Sequence, residues 1–531
     1  IDYTEREINL FTERVAKALY TALPHDILRI CCPDLNVFGK NSQTNKATVP
    51  TPTSPRSSNT RNNASLRFNS KVPDPADYNA FPNGDVCHLF RSRGALDHVN
   101  VSDVVIRSLD LNGAGNGLPH QVLKWAKESH HRCLNLLSRK RVESSSKKYN
   151  IILLDGEENS RCVATIELLF TSFCVNFFRN TLLSIVNMLI AELPVLPKFK
   201  QNEGAKLFNV GGLEKNADDT YSGRKSPNEQ EVRVIGCADT MGILPIQVPL
   251  LAANNPYIKC VINKMNNESY SFERTWEKMT LFFSAIQAIK LQVKKALSYW
   301  KNEVFVSIRN IVDVVTTCQN KLENEMKSLE ERISYGLKRI IGHIGAEMQA
   351  MVLCYQSKND YNSSDAQMHT SSKSSLELAK FLKQFLYLVN EQCIFSCTDD
   401  DTDDVCKMTM MAHACLCARD VTLASWRRVK ISLPGSIKLM RDVDTISSVI
   451  NDFPYCRKLP AVLLAWEYMR EIVQLFIVQP ESLASLIRDE DRNLSDLGNQ
   501  FIYECISRRA DFTTNVLGTK AAWVRTLLEN R

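Results

Sequence analysis

A chain of 531 residues exceeds what one ordinary hydrophobic core supports, so two to four domains are expected. With 44% hydrophobic and 23% charged residues the composition is globular, and a net charge of +6 is too small at this length for a dedicated nucleic-acid binder. Seventeen scattered cysteines, several inside apolar runs (Cys174, Cys318, Cys505), fit reduced buried thiols better than a secreted disulfide framework.

The chain opens on Ile1 without a methionine, as a fragment would. Ile1 to Arg14 is polar with charges of both signs, so no signal peptide is expected. Residues 1–32 read as one helix of a bundle. Residues 33–99 contain NSQTNKATVPTPTSPRSSNTRNNAS and are expected to be a mostly disordered Ser/Asn/Pro-rich insertion.

Residues 100–196 read as a helical bundle. Inside it, VVIRSLDLNGAGNGLPHQVLKWAKE places Gly113, Gly115 and Gly117 between an apolar run and a helix. A dinucleotide loop needs its third Gly where Leu118 stands, so these glycines read more simply as a helix-to-helix turn, with Pro119 in the next helix's first turn. His130 and His131 follow on that helix and project about 100° apart, which keeps them from sharing one metal. The basic run SRKRVESSSKK, residues 138–148, reads as a solvated loop, with contact to an anionic membrane surface as the alternative. The most apolar stretch, IELLFTSFCVNFFRNTLLSIVNMLIAEL at 166–193, is cut by Arg179, Asn176 and Asn180. Halves of about a dozen residues fall short of the ~20 a membrane span needs, so it reads as a buried core helix.

Residues 197–258 read as a polar loop insertion holding the best strand candidate, VRVIG at 232–236. Residues 259–375 read as a long-helix bundle and linker. From Tyr270 to Leu353 the chain is nearly free of Gly and Pro until Gly336, which predicts two or three long amphipathic helices. SKNDYNSSDAQMHTSSKS, 357–374, reads as a solvated linker. Residues 376–531 read as a C-terminal helical bundle. One apolar stripe runs through Leu378, Phe381, Leu382, Phe385, Val389 and Ile394. A second runs through Val462, Trp466, Met469, Val473 and Phe476, bounded by Pro460 and Pro480.

Between those stripes lies CIFSCTDDDTDDVCKMTMMAHACLC. Cys393 and Cys397 form one i, i+4 pair, and His413 and Cys417 form another, at a separation used by zinc modules. A calcium loop from Asp399 fails, because its glycine position is Asp404 and its bidentate glutamate position is Met410. For zinc, helices ending near Cys397 and restarting near Asp404 would set His413 ~13 Å into the second helix, so the pairs miss by roughly 10 Å. Cys406, Met410, His413 and Cys417 instead have helix-packing spacing and read as a buried seam. No zinc-protease, nucleophile-elbow, Walker or kinase signature occurs, so no catalytic, cofactor or metal residue is named and no cofactor is expected.

The C-terminal half carries further detail. SLPGSIKLMRDVDTISSVINDF holds Leu439, Asp442 and Val443 in an L-x-x-D-[IV] pattern. KLPAVLLAWEYMREIVQLFIVQPESLASLI ends on V-x-P-x-x-L at Val478, Pro480 and Leu483, and FIYECISRRADF closes on R-x-D-[YF] at Arg509, Asp511 and Phe512. Upstream stands a K-x-D-[YF] turn at Lys358, Asp360 and Tyr361. Over about residues 270–531 this order resembles exocyst complex component five, the Sec-ten subunit family.

That resemblance implies an all-α fold: an elongated stack of antiparallel helical bundles of the tethering-complex rod class, with long low-complexity loops. It also implies a non-enzymatic subunit that holds secretory vesicles at the plasma membrane before fusion. Such a subunit is cytoplasmic, recruited peripherally to vesicles and plasma membrane, and partners other exocyst subunits. Small GTPases and a peripheral membrane contact stand open as further partners; nucleic acid does not. The family's N-terminal coiled-coil region, which the resemblance implies serves subunit pairing, is expected to be missing from this sequence. Two other readings remain: an F-box trafficking adaptor with the same C-terminal domain, and a cytosolic zinc- or nucleotide-binding enzyme.

Overall fold

The structure, a computed structural model, describes residues 2–25, 27, 28, 32, 99–111, 116–144, 156–193, 262, 272–305, 312–362, 369–392, 400–489, 494 and 499–513. The expected insertions at 33–99 (but for residue 99) and 197–258, the latter with the strand candidate 232–236, lie outside them. The described residues are helical and hold no strand. The nearest approach to one is an isolated parallel bridge between Ile431 and Arg509. They pack as two units, one drawn from Ile1–Leu193 and Leu281–Ile333, the other chiefly from Ser334–Phe395 and Asp399–Arg531.

The first unit is organised around the apolar stretch. Helix α1 (Asp2–Ala22) packs on α3 (Leu118–Ser144) and α4 (Gly156–Cys174), while α2 (Val101–Leu109) packs on α3 and α5 (Ser184–Glu192). Between α4 and α5 the chain does not break: Val175–Leu183 winds as a π-helix. The helix Ala164–Glu192 is long and apolar enough to cross a membrane, yet 89% of the apolar 18-residue window within it is buried inside the protein. It is a core helix, as its sequence suggests, but Arg179 does not cut it. The Arg179 Nε lies 2.9 and 3.0 Å from the two carboxylate oxygens of Glu325, so one polar residue on an apolar helix is satisfied by an ion pair.

Local polar side chains account for the wide turn. Thr181 donates its hydroxyl to the Asn176 carbonyl at 2.7 Å, five residues back, and Asn180 donates to the Asn176 side chain at 3.3 Å. These bonds supply partners where the i, i+4 ladder is interrupted. Around the turn, Phe170, Phe173, Phe177 and Phe178 are buried, and Trp300 sits edge-on to Phe170 with centroids 4.6 Å apart. Burying each such ring contributes about 1.5–3 kcal/mol, so this cluster is the main core of the unit.

Two long helices follow from Phe272 onward, within the two or three expected. Helix α6 (Phe272–Tyr299) continues as a π-turn at Trp300–Val304, and α7 (Val312–Tyr355) runs 44 residues, straight through Gly336.

In the second unit, α8 (Lys373–Gln392) packs on α9 (Asp400–Trp426) and α10 (Leu433–Asn451). After the short α11 (Pro454–Arg457), α12 (Pro460–Ile477) packs on the same two helices, closing a four-helix ring. Both apolar stripes face inward. Leu378, Phe381, Leu382, Phe385 and Val389 are buried, and so are Val462, Trp466, Met469, Val473 and Phe476. Ile394 lies outside the described residues. Short segments complete the unit: α13 (Leu483–Arg488), α14 (Asn499–Ile506) and a 3₁₀ turn at Ala510–Thr513.

Candidate functional site

The four patterns that carry the resemblance in the C-terminal half converge on one junction. It begins where α7 ends. Asp360 turns the chain by accepting the Ser357 backbone N–H at 2.8 Å, which sends Tyr361 inward to 1% exposure while Lys358 stays in solvent. The Tyr361 hydroxyl donates to Asp442 Oδ2 at 2.7 Å. Ser372, the N-cap of α8, completes the shell. Its N–H donates to Asp442 Oδ1 at 2.7 Å, its Oγ donates to Asp442 Oδ2 at 2.8 Å, and the same Oγ accepts the Ser375 N–H at 3.2 Å.

Asp442 itself is 0% exposed. Burial pushes its carboxyl above the usual carboxylate range, and the hydrogen bonds from Tyr361 and Ser372 offset part of that. Burial, then the neighbouring carboxyl, pushes Tyr361 well above its ordinary value. Of residues 357–374, expected to be a solvated linker, Ser357, Lys358, Asn359, Asn362, His369 and Thr370 are exposed, whereas Tyr361, Ser372 and Ser374 turn inward. Tyr361 and Ser372 are core residues, because a buried carboxyl needs donors and this turn supplies them.

One strand of backbone joins this cluster to the next. Ser432 donates its N–H (2.8 Å) and its Oγ (3.1 Å) to the Tyr361 carbonyl, and its Oγ accepts the Gly435 N–H as the N-cap of α10. Gly435 is pressed against the same carbonyl: a Cβ built on it would stand 1.8 Å from Tyr361 O. Ile431 donates to Arg508 O at 2.9 Å and accepts from Ala510 N at 2.8 Å. Arg509, 4% exposed, then caps α12, its Nη1 donating to Leu475 O at 2.8 Å and Val478 O at 2.7 Å. Its other two nitrogens hold Asp511 at 2.9 and 2.7 Å. Leu439, Val443, Pro480 and Leu483 are buried alongside.

Chemically this is a joint. A carboxyl at 0% exposure is closed to any substrate, and Arg509 has its donors spent on two helix-end carbonyls and Asp511. Sequence spacing located Tyr361, Asp442 and Arg509 but missed Ser372, Ser432 and Gly435. A Ser followed by Pro at the second helical position is a helix-start signal, and it marks Ser432.

The remaining candidates separate. Helix α9 begins at Asp400, earlier than expected, and α8 is described only to Gln392, so Cys393 and Cys397 lie outside the described residues. Cys406, Met410, His413 and Cys417 are all buried, and no group of three or more His, Cys, Asp or Glu is placed to hold a metal among the described residues. Gly113 and Gly115 also fall outside. Gly117 is described, in a helix-to-helix turn closed by Asp110, a left-handed residue (φ 54°) that accepts the Asn116 N–H at 2.8 Å. His130 is buried against Tyr299, Nδ1 to hydroxyl 3.2 Å, while His131 is exposed. Helix α3 runs on to Ser144, so the first part of the basic run 138–148 is helical rather than loop, and its side chains lie outside the described residues.

Burial lowers both His130 and His413 to about 4, against an ordinary histidine near 6.5. Above about pH 6.5 each ring is neutral in folded and unfolded chains, and its contribution to stability is complete. As the pH falls from there towards 4, the unfolded chain binds protons that the fold refuses. Each histidine then withdraws up to about 3 kcal/mol. Urea unfolding followed from pH 7 to 4.5 should show this loss, and His130→Phe should flatten it for the first unit; an unchanged slope contradicts the assignment.

Comparison with protein families gives one match: the model described as exocyst complex component Sec10-like, α-helical bundle, matches residues 247–520. That span contains the whole junction. A comparison with curated proteins returns no match.

Proposed function

The chain belongs to the exocyst component Sec10-like family, and on that premise we propose that it is a non-enzymatic subunit of the exocyst, holding secretory vesicles at the plasma membrane before fusion. The observation that supports this reading is where the residues of the four patterns sit. Tyr361, Asp442 and Arg509 are buried and join helix ends to one another. A chain whose most characteristic residues maintain a helical bundle works by the shape and surface of that bundle. Its partners are other exocyst subunits, and it is cytoplasmic, recruited peripherally to vesicle and plasma membrane.

Affinity purification of the tagged full-length protein from its own cells tests the proposal. The expected result is recovery of several other exocyst subunits, in amounts comparable to the bait, that survives moderate salt. Recovery of none of them, or of a ubiquitin-ligase scaffold in their place, contradicts it.

A further inference from the structure

In the first unit, α1, α2 and the first turn of α3 enclose a cleft of about 470 Å³. Its charge is one-sided. Arg14 and Lys17 lie one turn apart on α1, Arg107 comes from α2, and no carboxylate stands on the wall among the described residues, the nearest turn carboxylate, Asp110, being bonded to the Asn116 N–H at 2.8 Å. Arg14 lies 3.7 Å from Glu128, both about half exposed, and Arg107 spends its Nε on the Asp103 carbonyl at 3.2 Å. Lys17 has no ion-pair partner among the described residues.

The third side of the cleft is the start of α3, a helix of 27 residues whose positive pole is carried by the Leu118 and His120 amides, Pro119 having no N–H and Gln121 donating its own to Gly117 O at 3.0 Å. That helix start is fixed in place. A Cβ on Gly117 would come 2.8 Å from Leu109 O, so the backbones of α2 and α3 touch there, and Gln121 donates to Asn116 O at 2.6 Å.

Ser108 gives an independent pointer. It is 3% exposed, it stands on the wall of the cleft, and its hydroxyl has no hydrogen-bond partner. A buried polar atom without a partner is a cost that an entering acceptor would relieve. The rest of the wall mixes apolar Ala18, Ala22 and Leu118 with polar Thr21, Asn116 and Gln121, and half-buried Trp125 offers a flat face.

We propose that this cleft binds a small polyanion that carries phosphate groups around a ring, with the phosphates on Arg14, Lys17, Arg107 and the first amides of α3, and the ring against Trp125. Positive charge arriving from three helices suits phosphates distributed around a cyclitol better than the single row of a nucleotide. A phosphorylated cyclitol occurs free or as the head of a lipid, and the cleft chemistry is the same for both. The site lies outside the family match and does not depend on the tethering role.

Calorimetric titration of the full chain with inositol 1,4,5-trisphosphate tests the site directly. One-to-one binding is expected, weakened about tenfold by Lys17→Gln and again by Arg107→Gln, since a charged hydrogen bond contributes about that factor. Both side chains are exposed, so neither change threatens the fold. Phosphatidylcholine vesicles with and without phosphatidylinositol 4,5-bisphosphate separate the two sources. Sedimentation that needs this lipid and fails in the variants assigns a lipid head, whereas binding of the soluble ring alone assigns a free ligand. Binding of neither probe, binding indifferent to both variants, or tighter binding of ATP or a poly-glutamate peptide overturns the proposal.

Discussion

Alanine in place of Gly435 should destabilise the second unit by about 3–5 kcal/mol, at the severe end of single substitutions. The added Cβ would stand 1.8 Å from the Tyr361 carbonyl oxygen and 2.5 Å from its carbon. Those are backbone atoms, so no side-chain rotation relieves the clash. Moving Tyr361 away would break the two bonds its carbonyl accepts from Ser432, and would drag its hydroxyl from Asp442. The measurement is a thermal melt, where a loss of this size lowers the transition by about 10 °C for a unit of 150–250 residues. A change below about 1 kcal/mol would mean that α10 can slide off the Tyr361 turn freely.

Asp442→Ala should cost about 4 kcal/mol. Three buried donors, from the Tyr361 hydroxyl, the Ser372 N–H and the Ser372 hydroxyl, lose their acceptor together. Each unsatisfied group costs about 1–3 kcal/mol, less whatever the cavity regains by admitting water. Replacing Tyr361 by Phe removes one donor and leaves the carboxyl two, so it should cost less, about 1.5 kcal/mol. Chemical denaturation monitored on the second unit gives both values. A carboxyl that served only as a surface charge would change stability by a few tenths of a kcal/mol in either test.

Much of this fold was legible because amphipathic periodicity is a local signal. The stripes through Leu378–Val389 and Val462–Phe476 are buried as their spacing requires, and the stretch at 166–193 is a core helix as read, though unbroken at Arg179. The Sec-ten resemblance read over 270–531 meets the family match over 247–520. What stayed hidden depends on partners far away in sequence. Arg179 looked like an interruption because Glu325, its ion-pair partner, is 146 residues distant. The linker at 357–374 looked solvated because nothing local shows that Asp442, 70 residues beyond Ser372, draws its donors from there. Gly435 carries no local signal of its role, because the carbonyl it abuts belongs to another motif. Boundaries shifted for a simpler reason: aspartates tolerate a helix start, so α9 takes in Asp400 and Asp401 rather than leaving them in the turn.

The most direct test that the residues of these four patterns form one joint is a double-mutant cycle between Tyr361→Phe and Asp442→Ala, read as unfolding free energies of the second unit. The expected coupling is about 1–2 kcal/mol, because each change alone already breaks the 2.7 Å bond that the other would remove. Additive effects, agreeing within about 0.3 kcal/mol, would mean that the two residues stabilise the bundle independently and that no such joint exists.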